Sequence, residues 1–514
     1  MTAAPAESRS PIWAREAMGA GAALAVAVVT AAVVASTPRA ELLLRDGDSL
    51  ATTLVVRSLA AGQPQDWAMS TVLFVPETAM VGALSLLGLG VEGTLLLAAV
   101  ASVLALYGAL RFAAGARRPG SAPVGGSLLA LTAFAVFAMT EASADRDALE
   151  PASLLLTTTY YSATVIAMVL AVGLIRRGLD APARRRHAWA IAAVAAASVF
   201  TNPMFLAWAT VPLSLVVAAT ALVRRRTDAG RAAAILVVAL IAGSVAGLIA
   251  RIPLGRLIAN TGAGYADPSA WWESLGYYAG LAADRVADPA GAVAALAGLA
   301  LWLWCVRASV VLARRDRIGP AVVAACGWIV PVVVTVGAIA LGTHAARYLQ
   351  PIAFAPLLGL VVLPDVVARR VHLGRVAVIG ATTVALVAAG VFGIPRLVSA
   401  ASTPDADLAC VVEWTDASGR AGAGQFWTVR LPKAHAADPR SLVQVDHELR
   451  GYAWLVNRDD FAVGEVSFLV VDDESVPFRL PGGVTEADAS AVDCGRYTIL
   501  DFGEPTLPLG PQRS

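Results

Sequence analysis

Long apolar runs recur along most of the chain and restrict its fold more than any other feature. A helix needs about 20 apolar residues to cross roughly 30 Å of hydrocarbon, and we find about eleven such runs. They centre near residues 27, 102, 133, 164, 195, 213, 241, 299, 330, 357 and 385. Of the 514 residues, 57% are hydrophobic and 15% are charged, which is too apolar for a soluble globule. The sequence therefore predicts an α-helical polytopic membrane protein with about eleven transmembrane helices.

Clusters of arginine predict the orientation of these runs. Short cytoplasmic loops retain arginine and translocated loops do not. We therefore place the following clusters inside: Arg117–Arg118, Arg176–Arg177 with Arg184–Arg186, Arg224–Arg226, Arg314–Arg315 with Arg317, and Arg369–Arg370 with Arg375. This topology requires that the apolar stretch 69–88 does not span. Pro76 and Glu77 in its middle favour a membrane-parallel or re-entrant helix instead.

Three regions follow from this topology in a multi-pass protein of the cell membrane. Residues 1–16 are predicted to form a cytoplasmic tail. Residues 17–400 form the multi-span domain, whose outer loop 37–90 contains the membrane-parallel helix, and residues 401–514 form an extracytoplasmic domain. All the loops with candidate reactive side chains then lie on the outer side, so we expect any chemistry there. A formal net charge of +1 argues against a nucleic-acid partner.

The first outer loop contains two aspartates, Asp46 and Asp48, on either side of Gly47. A turn at the glycine would let both carboxylates face one ligand. Such a pair can share a divalent cation, or one member can act as a general base while the other orients it. The alternative is a solvated cap at the end of a membrane helix.

In this layout the chain resembles the glycosyltransferase-C superfamily, whose polytopic members take a sugar from a polyprenyl-phosphate carrier. Asp46 and Asp48 match the acidic motif of that group, and the stretch 74–77 is similar to its membrane-parallel element. The resemblance implies an inverting transfer of a hexose or pentose to an extracytoplasmic acceptor, which could be a glycan, a lipid or a protein. It also implies that Asp46 or Asp48 is the catalytic base, without indicating which one.

A lipid-linked sugar needs a cation beside its phosphate, and the segment HAARYLQP supplies one at the outer end of the tenth run. Arg347 can hold phosphate oxygens with two parallel hydrogen bonds, and Tyr348 and His344 stand beside it in sequence. We predict that these three residues bind the donor phosphate. The alternative is an interfacial arginine next to an aromatic-belt tyrosine.

The long outer loop 251–289 is rich in aromatic residues. Trp271, Trp272 and Tyr277 lie close together in it, and aromatic faces can pack against sugar rings or isoprenoid chains. Together with Glu77 they are predicted to line an acceptor or lipid groove. The alternative is an interfacial belt on a helix that lies among lipid headgroups.

From about residue 404 onward the composition becomes that of a soluble domain. Short aromatic and β-branched runs separated by Gly, Pro and Asp, among them LACVVEW, GQFWTVRL and RYTILDF, predict a small antiparallel β domain. Cys410 and Cys494 lie near its first and last predicted strands, and an outside location permits oxidation, so we predict a disulfide between them. Binding of a glycan or a partner is the predicted role of this domain.

Two other functional classes remain open. A lipid or solute transporter would carry ionisable residues in the middle of its spans, whereas the runs here are nearly free of charge at their centres. A non-catalytic assembly or sensor protein would act through the β domain and would tolerate replacement of Asp46, Asp48 and Arg347. No cofactor other than the divalent cation is indicated.

Overall fold

The computed structural model describes residues 12–116, 123–181, 185–259, 262–367, 375–503 and 507–513. Several predictions concern residues outside these ranges. They include most of the predicted tail 1–16 and the orienting arginines Arg117, Arg118, Arg184, Arg369 and Arg370.

A helical bundle occupies the chain up to residue 402. Its α-helices are α1 Ile12–Val34, α2 Ala40–Leu44, α3 Ala51–Ala60, α4 Val75–Ser85, α5 Gly90–Ala113, α6 Pro123–Met139, α7 Ser162–Asp180, α8 Arg186–Thr201, α9 Val211–Val223, α10 Asp228–Arg251, α11 Trp271–Ala287, α12 Pro289–Arg314, α13 Ile318–Ala340, α14 Pro351–Phe354, α15 Leu358–Val361, α16 Leu363–Val366, α17 Arg375–Ala388 and α18 Ile394–Ser402. Short π-helical turns precede α9 and α18.

Within the described residues, nine helical segments are long and apolar enough to cross a membrane. They are Trp13–Val34, Gly90–Ala113, Ser162–Asp180, Leu206–Val223, Asp228–Leu254, Pro289–Arg314, Ile318–Ala340, Ala346–Val366 and Val376–Ser402. The runs centred near residues 133 and 195 form the shorter helices α6, of 17 residues, and α8, of 16 residues. At 1.5 Å per residue each extends roughly 25 Å, less than the hydrocarbon thickness of about 30 Å. The described helices therefore have a multi-pass membrane architecture, but helix length does not confirm the predicted number of about eleven transmembrane helices.

Polar contacts distinguish the two ends of the bundle. At one end Arg39, just after α1, donates to Ser153 Oγ at 2.8 Å and to the carbonyl oxygen of Ser143 at 3.0 Å. At the other end Arg176 of α7 and Arg317, just before α13, both pair with Asp365 at 2.8 Å. We call these the Arg39 end and the Arg176 end.

Helices α8 and α10 pack with their backbones almost in contact. A Cβ on Gly243 would clash with the carbonyl oxygen of Ala192, and one on Gly247 would clash with that of Ala196. Small residues at such positions let membrane helices approach closely. Because both numbers increase together along the interface, α8 and α10 run in the same direction.

The stretch that was predicted not to span forms α4 and the turn after it. This helix has 11 residues, which corresponds to about 16 Å, and it is absent from the nine candidate spans of the described chain. The turn after it exposes Leu86, Leu87 and Leu89. Exposed leucines beside a short helix are consistent with an element that rests against lipid.

The C-terminal region contains two helices and most of the strands. The elements are α19 Ala406–Ser418, α20 Phe426–His435, β1 Trp67–Ala68, β2 Gly422–Gly424, β3 Leu442–Gln444, β4 Arg450–Tyr452, β5 Val456–Asn457, β6 Glu465–Val466, β7 Phe468–Val471, β8 Ser490–Cys494, β9 Tyr497–Asp501, β10 Leu507–Pro508 and β11 Gly510–Arg513. The largest sheet has the order β3-β2-β7-β9-β8. Its first three strands are parallel, and β9 is antiparallel to both β7 and β8.

The small C-terminal β region is confirmed, but the prediction of an all-antiparallel domain was wrong. Two of the runs that we predicted as strands, LACVVEW and GQFWTVRL, are the helices α19 and α20. Helix α19 begins where Asp405 accepts the N–H of Leu408 at 3.0 Å. It buries Leu408, Val411 and Thr415 on one face and ends at Gly419 in the left-handed conformation. These buried residues are three and four positions apart, which is the spacing along one face of an α-helix.

The Cys410–Cys494 disulfide is confirmed, with 5.5 Å between the two Cα atoms. Because Cys410 lies in α19, the bond joins a helix to the edge strand β8 rather than the first strand to the last. It closes a separation of 84 residues.

Candidate cavity at the Arg39 end

A cavity of about 480 Å³ opens at the Arg39 end of the bundle. Loop residues, two membrane helices and the C-terminal domain all contribute to its wall. The described residues that line it include Asp48, Ser70, Thr71, Tyr160, Tyr161, Asn202, Trp208, Val211, Tyr265, Val334, Gly337, Leu341, Arg347, Tyr348, Trp454 and Leu455. Its size is that of a small-molecule site.

Asp48 lies in the turn between α2 and α3 and lines this cavity. The turn is held from the C-terminal domain, because the fully buried Arg430 of α20 donates to the carbonyl oxygen of Gly47 at 2.6 Å. A side chain at position 47 has little space, since a Cβ there would lie 3.0 Å from Trp427 and 3.1 Å from Phe426. Helix α20 therefore covers the middle of the acidic motif and fixes the backbone beside Asp48.

Asp46 has a different environment from Asp48. It is buried, with 8% of its surface exposed, and it is absent from the cavity wall. Its Oδ1 accepts the N–H of Asp48 at 3.1 Å and the hydroxyl of Tyr160 at 3.4 Å, and Arg146 lies 3.9 Å from Oδ2. Burial, with a smaller contribution from the charge of Asp48, raises the pKa of Asp46 to about 7. The structure thus separates two aspartates that the sequence could not distinguish.

Arg347 reaches the cavity from a 3₁₀ turn, Ala346–Leu349, and Tyr348 lines the same wall. The backbone of this turn is fixed by Trp208, whose indole N–H donates to the carbonyl oxygen of Tyr348 at 3.0 Å. The Nε of Arg347 is buried without a hydrogen-bond partner among the described residues. A buried donor without a partner is costly unless a ligand or water satisfies it.

The charge distribution in the cavity is simple. Among its described lining residues, Asp48 and Arg347 are the only charged ones, and no ion pair of 4.0 Å or less joins them. The rest of the wall consists of hydroxyl, amide, aromatic and apolar side chains. One carboxylate and one guanidinium therefore face a common space without neutralising each other directly.

Backbone strain is concentrated at this cavity. Five non-glycine residues of the described chain have a positive φ. Two of them, Tyr161 at 68° and Leu455 at 50°, line the cavity, and Phe74 at 49° follows its lining segment 70–72. Left-handed bulky residues cost about 1–3 kcal/mol each and often mark functional sites.

The remaining predicted site residues lie elsewhere. His344 is exposed and packs edge-on against Tyr277, with 5.4 Å between the ring centroids. Trp271 and Trp272 are exposed on α11, at 49% and 67%. None of these four belongs to the described cavity wall, so the predicted groove meets the predicted phosphate site only through the contact between Tyr277 and His344.

Glu77 is also absent from the cavity wall, but it is buried at 3% exposure. Its Oε1 accepts the N–H of Ala163 at 3.2 Å, in the first turn of α7, while Oε2 has no partner among the described residues. Burial raises the pKa of Glu77 to about 7. The contact places Glu77 beside α7, the helix that begins directly after Tyr161. Glu77 therefore lies behind the cavity wall and not in the cavity.

A divalent cation shared by the two aspartates does not fit this geometry. Both oxygens of Asp46 are directed to Tyr160, Arg146 and the backbone of Asp48, and only Asp48 faces the cavity. The described part of the chain also contains no group of three or more His, Cys, Asp or Glu side chains placed to hold a metal.

Several lining residues carried no local signal in the sequence. Tyr160 and Tyr161 follow a threonine run inside the apolar stretch centred near residue 164. Trp208 lies within an apolar run, and Trp454 lies in a segment predicted only as a strand. Arg430 sits in the run GQFWTVRL, where a strand prediction would expose alternate residues. These positions meet only through tertiary packing.

Comparison with models of known protein families found no match, and no curated protein or solved structure is significantly similar to the chain.

Proposed function

We propose that the protein is a membrane glycosyltransferase that moves a sugar from a polyprenyl-phosphate donor to an acceptor hydroxyl. One observation carries this proposal: Asp48 and Arg347, far apart in sequence, line one cavity without forming an ion pair. A reaction that removes a proton at one point and develops negative charge at another needs these two groups.

The roles follow from the chemistry of the transfer. Asp48 accepts the proton of the acceptor hydroxyl as the acceptor oxygen bonds to the anomeric carbon. The bond between that carbon and the phosphate oxygen breaks, and the lipid phosphate leaves with the electron pair. Arg347 stabilises the negative charge on the leaving phosphate, and its unpartnered Nε is available for an additional hydrogen bond. Attack opposite the leaving group inverts the configuration of the sugar.

A lipid-linked donor also needs a route from the bilayer. Val211 of α9 and Leu341, just after α13, line the cavity, and 50% and 48% of their surfaces are exposed on the bundle. Val334 and Gly337 continue the apolar wall along α13. This wall supports lateral access for a polyprenyl chain, with its phosphate reaching Arg347 at the Arg39 end.

Eleven crossings are part of the proposal, and the directions of α6 and α8 support them. Helix α6 starts beside Gly19 near the beginning of α1, and the segment after it reaches Arg39 beyond the end of α1. Helix α8 runs in the same direction as α10, which is one of the nine long segments. Both short helices thus extend between the two ends of the bundle.

Sidedness is supported by two independent features. Arginines gather at the Arg176 end, which favours the cytoplasm. The disulfide-bonded domain contacts the Arg39 end through Arg430 and Gly47, and disulfides favour an oxidising compartment. Single cysteines at Asp473 and Arg226, both exposed, test this assignment. We expect an impermeant maleimide to label only the cysteine at 473 in intact cells. Labelling of the cysteine at 226 instead would reverse the proposed orientation in the membrane.

The test of function is transfer by the purified protein from a panel of polyprenyl-phosphate sugars. We expect Asp48→Asn to lower turnover by roughly 10²–10⁴-fold, the usual contribution of a general base, and Arg347→Ala mainly to raise the donor KM. The matched controls are Asp473→Asn and Arg479→Ala, exposed positions in the C-terminal domain. Equal activity of Asp48→Asn and Asp473→Asn would contradict the proposal and favour the sensor or assembly alternative.

A further inference from the structure

The C-terminal domain contributes directly to the wall of the cavity. Trp454 and Leu455, in the turn between β4 and β5, both line it. The same turn is joined to the bundle, because β5 pairs with β1 of the loop 37–90 in antiparallel register. A domain that could have been a separate module therefore supplies part of the site.

The backbone of this turn is held by two fully buried side chains. Arg430 donates to the carbonyl oxygen of Leu455 at 2.6 Å, and Gln444 donates to those of Tyr452 and Trp454 at 2.9 Å and 2.8 Å. These bonds hold Leu455 in the left-handed conformation. A side chain on such a rigid support loses little conformational entropy when it binds a ligand.

Trp454 is half-buried, packs in part against the main hydrophobic core, and lines the cavity. Among the described residues no aromatic ring or guanidinium is found stacked on it, whereas the nearby ring of Trp427 is covered by Arg146 at 3.5 Å from its centroid. An indole presents a flat apolar face and one N–H donor. Sugar rings offer the matching surface, an apolar C–H face surrounded by hydroxyl groups.

Peptide binding by strand addition would need free backbone groups at this turn. Five of those groups are already used, because the N–H of Ala453 donates to Arg513 O at 2.7 Å, the N–H of Trp454 donates to Tyr452 O at 3.0 Å, and three carbonyl oxygens accept from Arg430 and Gln444. A lipid chain would bind along the apolar wall that α9 and α13 form, whereas Trp454 belongs to the C-terminal domain. The remaining recognition element is the indole face.

We propose that Trp454 is the stacking surface for a sugar ring of a carbohydrate acceptor, so that the C-terminal domain supplies the acceptor subsite beside Asp48. This inference rests on the proposed function, because it names the acceptor class of that same site. It adds Trp454 as a substrate-binding residue and gives the C-terminal domain a direct role in the reaction.

The test is calorimetric titration of the full chain in detergent with neutral tetrasaccharides of glucose, galactose, mannose and arabinose, and with a neutral tetrapeptide amide. We expect at least one tetrasaccharide to bind. Trp454→Ala should weaken that binding about tenfold, the scale of one aromatic stacking contact, and Trp454→Phe should retain most of it. Trp189→Ala, at an exposed tryptophan of α8 that is outside the cavity wall, is the matched control and should bind like the wild type.

Three results would overturn the inference: no tetrasaccharide binds the wild type, Trp454→Ala binds as well as the wild type, or Trp454 governs binding of the peptide instead. The titration contains no donor, so it measures acceptor binding separately from the proposed transfer. Normal binding without any sugar transfer by the wild type would contradict only the proposed function. In the transfer assay Trp454→Ala should raise the acceptor KM and leave the donor KM unchanged.

Discussion

Replacing Asp46 with asparagine should stabilise the protein, and more strongly at high pH than at low pH. Asp46 is buried beside Asp48, and its pKa is raised to about 7 from an ordinary value of 3.8. Asparagine keeps an oxygen that can accept from the Asp48 N–H and the Tyr160 hydroxyl, the two hydrogen bonds of Asp46 Oδ1. The substitution thus removes a buried negative charge and keeps both of these hydrogen bonds.

The magnitude follows from linkage between protonation and folding. The unfolded chain releases the proton of Asp46 above pH 3.8, whereas the folded chain holds it up to about pH 7. Wild-type stability therefore declines as pH rises through this window, at roughly 1.4 kcal/mol per pH unit, and the full cost is about 4 kcal/mol above pH 7. Between pH 5 and pH 8 the advantage of Asp46→Asn should grow by about 2–3 kcal/mol.

Thermal unfolding in one detergent at pH 5 and pH 8 measures this effect. We expect a larger gain in Tm for Asp46→Asn at pH 8, with no gain for the exposed control Asp473→Asn at either pH. A gain of the same size at both pH values would show that Asp46 is not held protonated, and a lower Tm than wild type at pH 8 would refute the argument. Unlike Asp48→Asn, this variant should keep most of the transfer activity.

Three further variants probe the charges around the cavity and the disulfide of the C-terminal domain. Arg347→Lys should fail to restore the donor KM lost in Arg347→Ala, because lysine lacks the bidentate fork; full recovery would mean that charge alone suffices. Arg430→Gln should leave the carbonyl oxygens of Gly47 and Leu455 without their donor, lowering stability by roughly 2–4 kcal/mol and turnover with it, measured as Tm and kcat. Cys410→Ser with Cys494→Ser should lower stability by about 2–5 kcal/mol, seen as a lower Tm under non-reducing conditions but not in excess reductant.

The charged residues of the site were easier to predict from the sequence than the roles of the two aspartates. The arginine of HAARYLQP and the acidic motif of the loop 37–90 could be selected from the sequence, because the predicted topology places both at the outer ends of apolar runs. The choice between Asp46 and Asp48 could not be made, because it depends on which carboxylate α20 and Tyr160 enclose. That enclosure involves residues more than a hundred positions away.

Aromatic density was a poor guide to the cavity. Trp271 and Trp272 attract attention as a pair, yet both are exposed on α11, while the lining residues Trp208 and Trp454 stand alone in the sequence. The helices α19 and α20 were missed for a related reason. Buried helical residues form short apolar runs that resemble strands, and the caps at Asp405 and Gly419 were the better signal.

The strained residues explain why the site needs a second domain. Tyr161 and Leu455 each adopt a left-handed conformation that costs about 1–3 kcal/mol. A buried side chain holds the carbonyl oxygen of Tyr160, which precedes Tyr161, and another holds the carbonyl oxygen of Leu455 itself. Gln350 donates to the carbonyl oxygen of Tyr160 at 2.9 Å from the bundle, and Arg430 donates to that of Leu455 from α20. Because Arg430 also holds Gly47, one guanidinium sets the backbone beside both the proposed base and the proposed sugar platform. A change in α20 that leaves every cavity-lining residue in place should therefore still disturb Asp48 and Trp454 together.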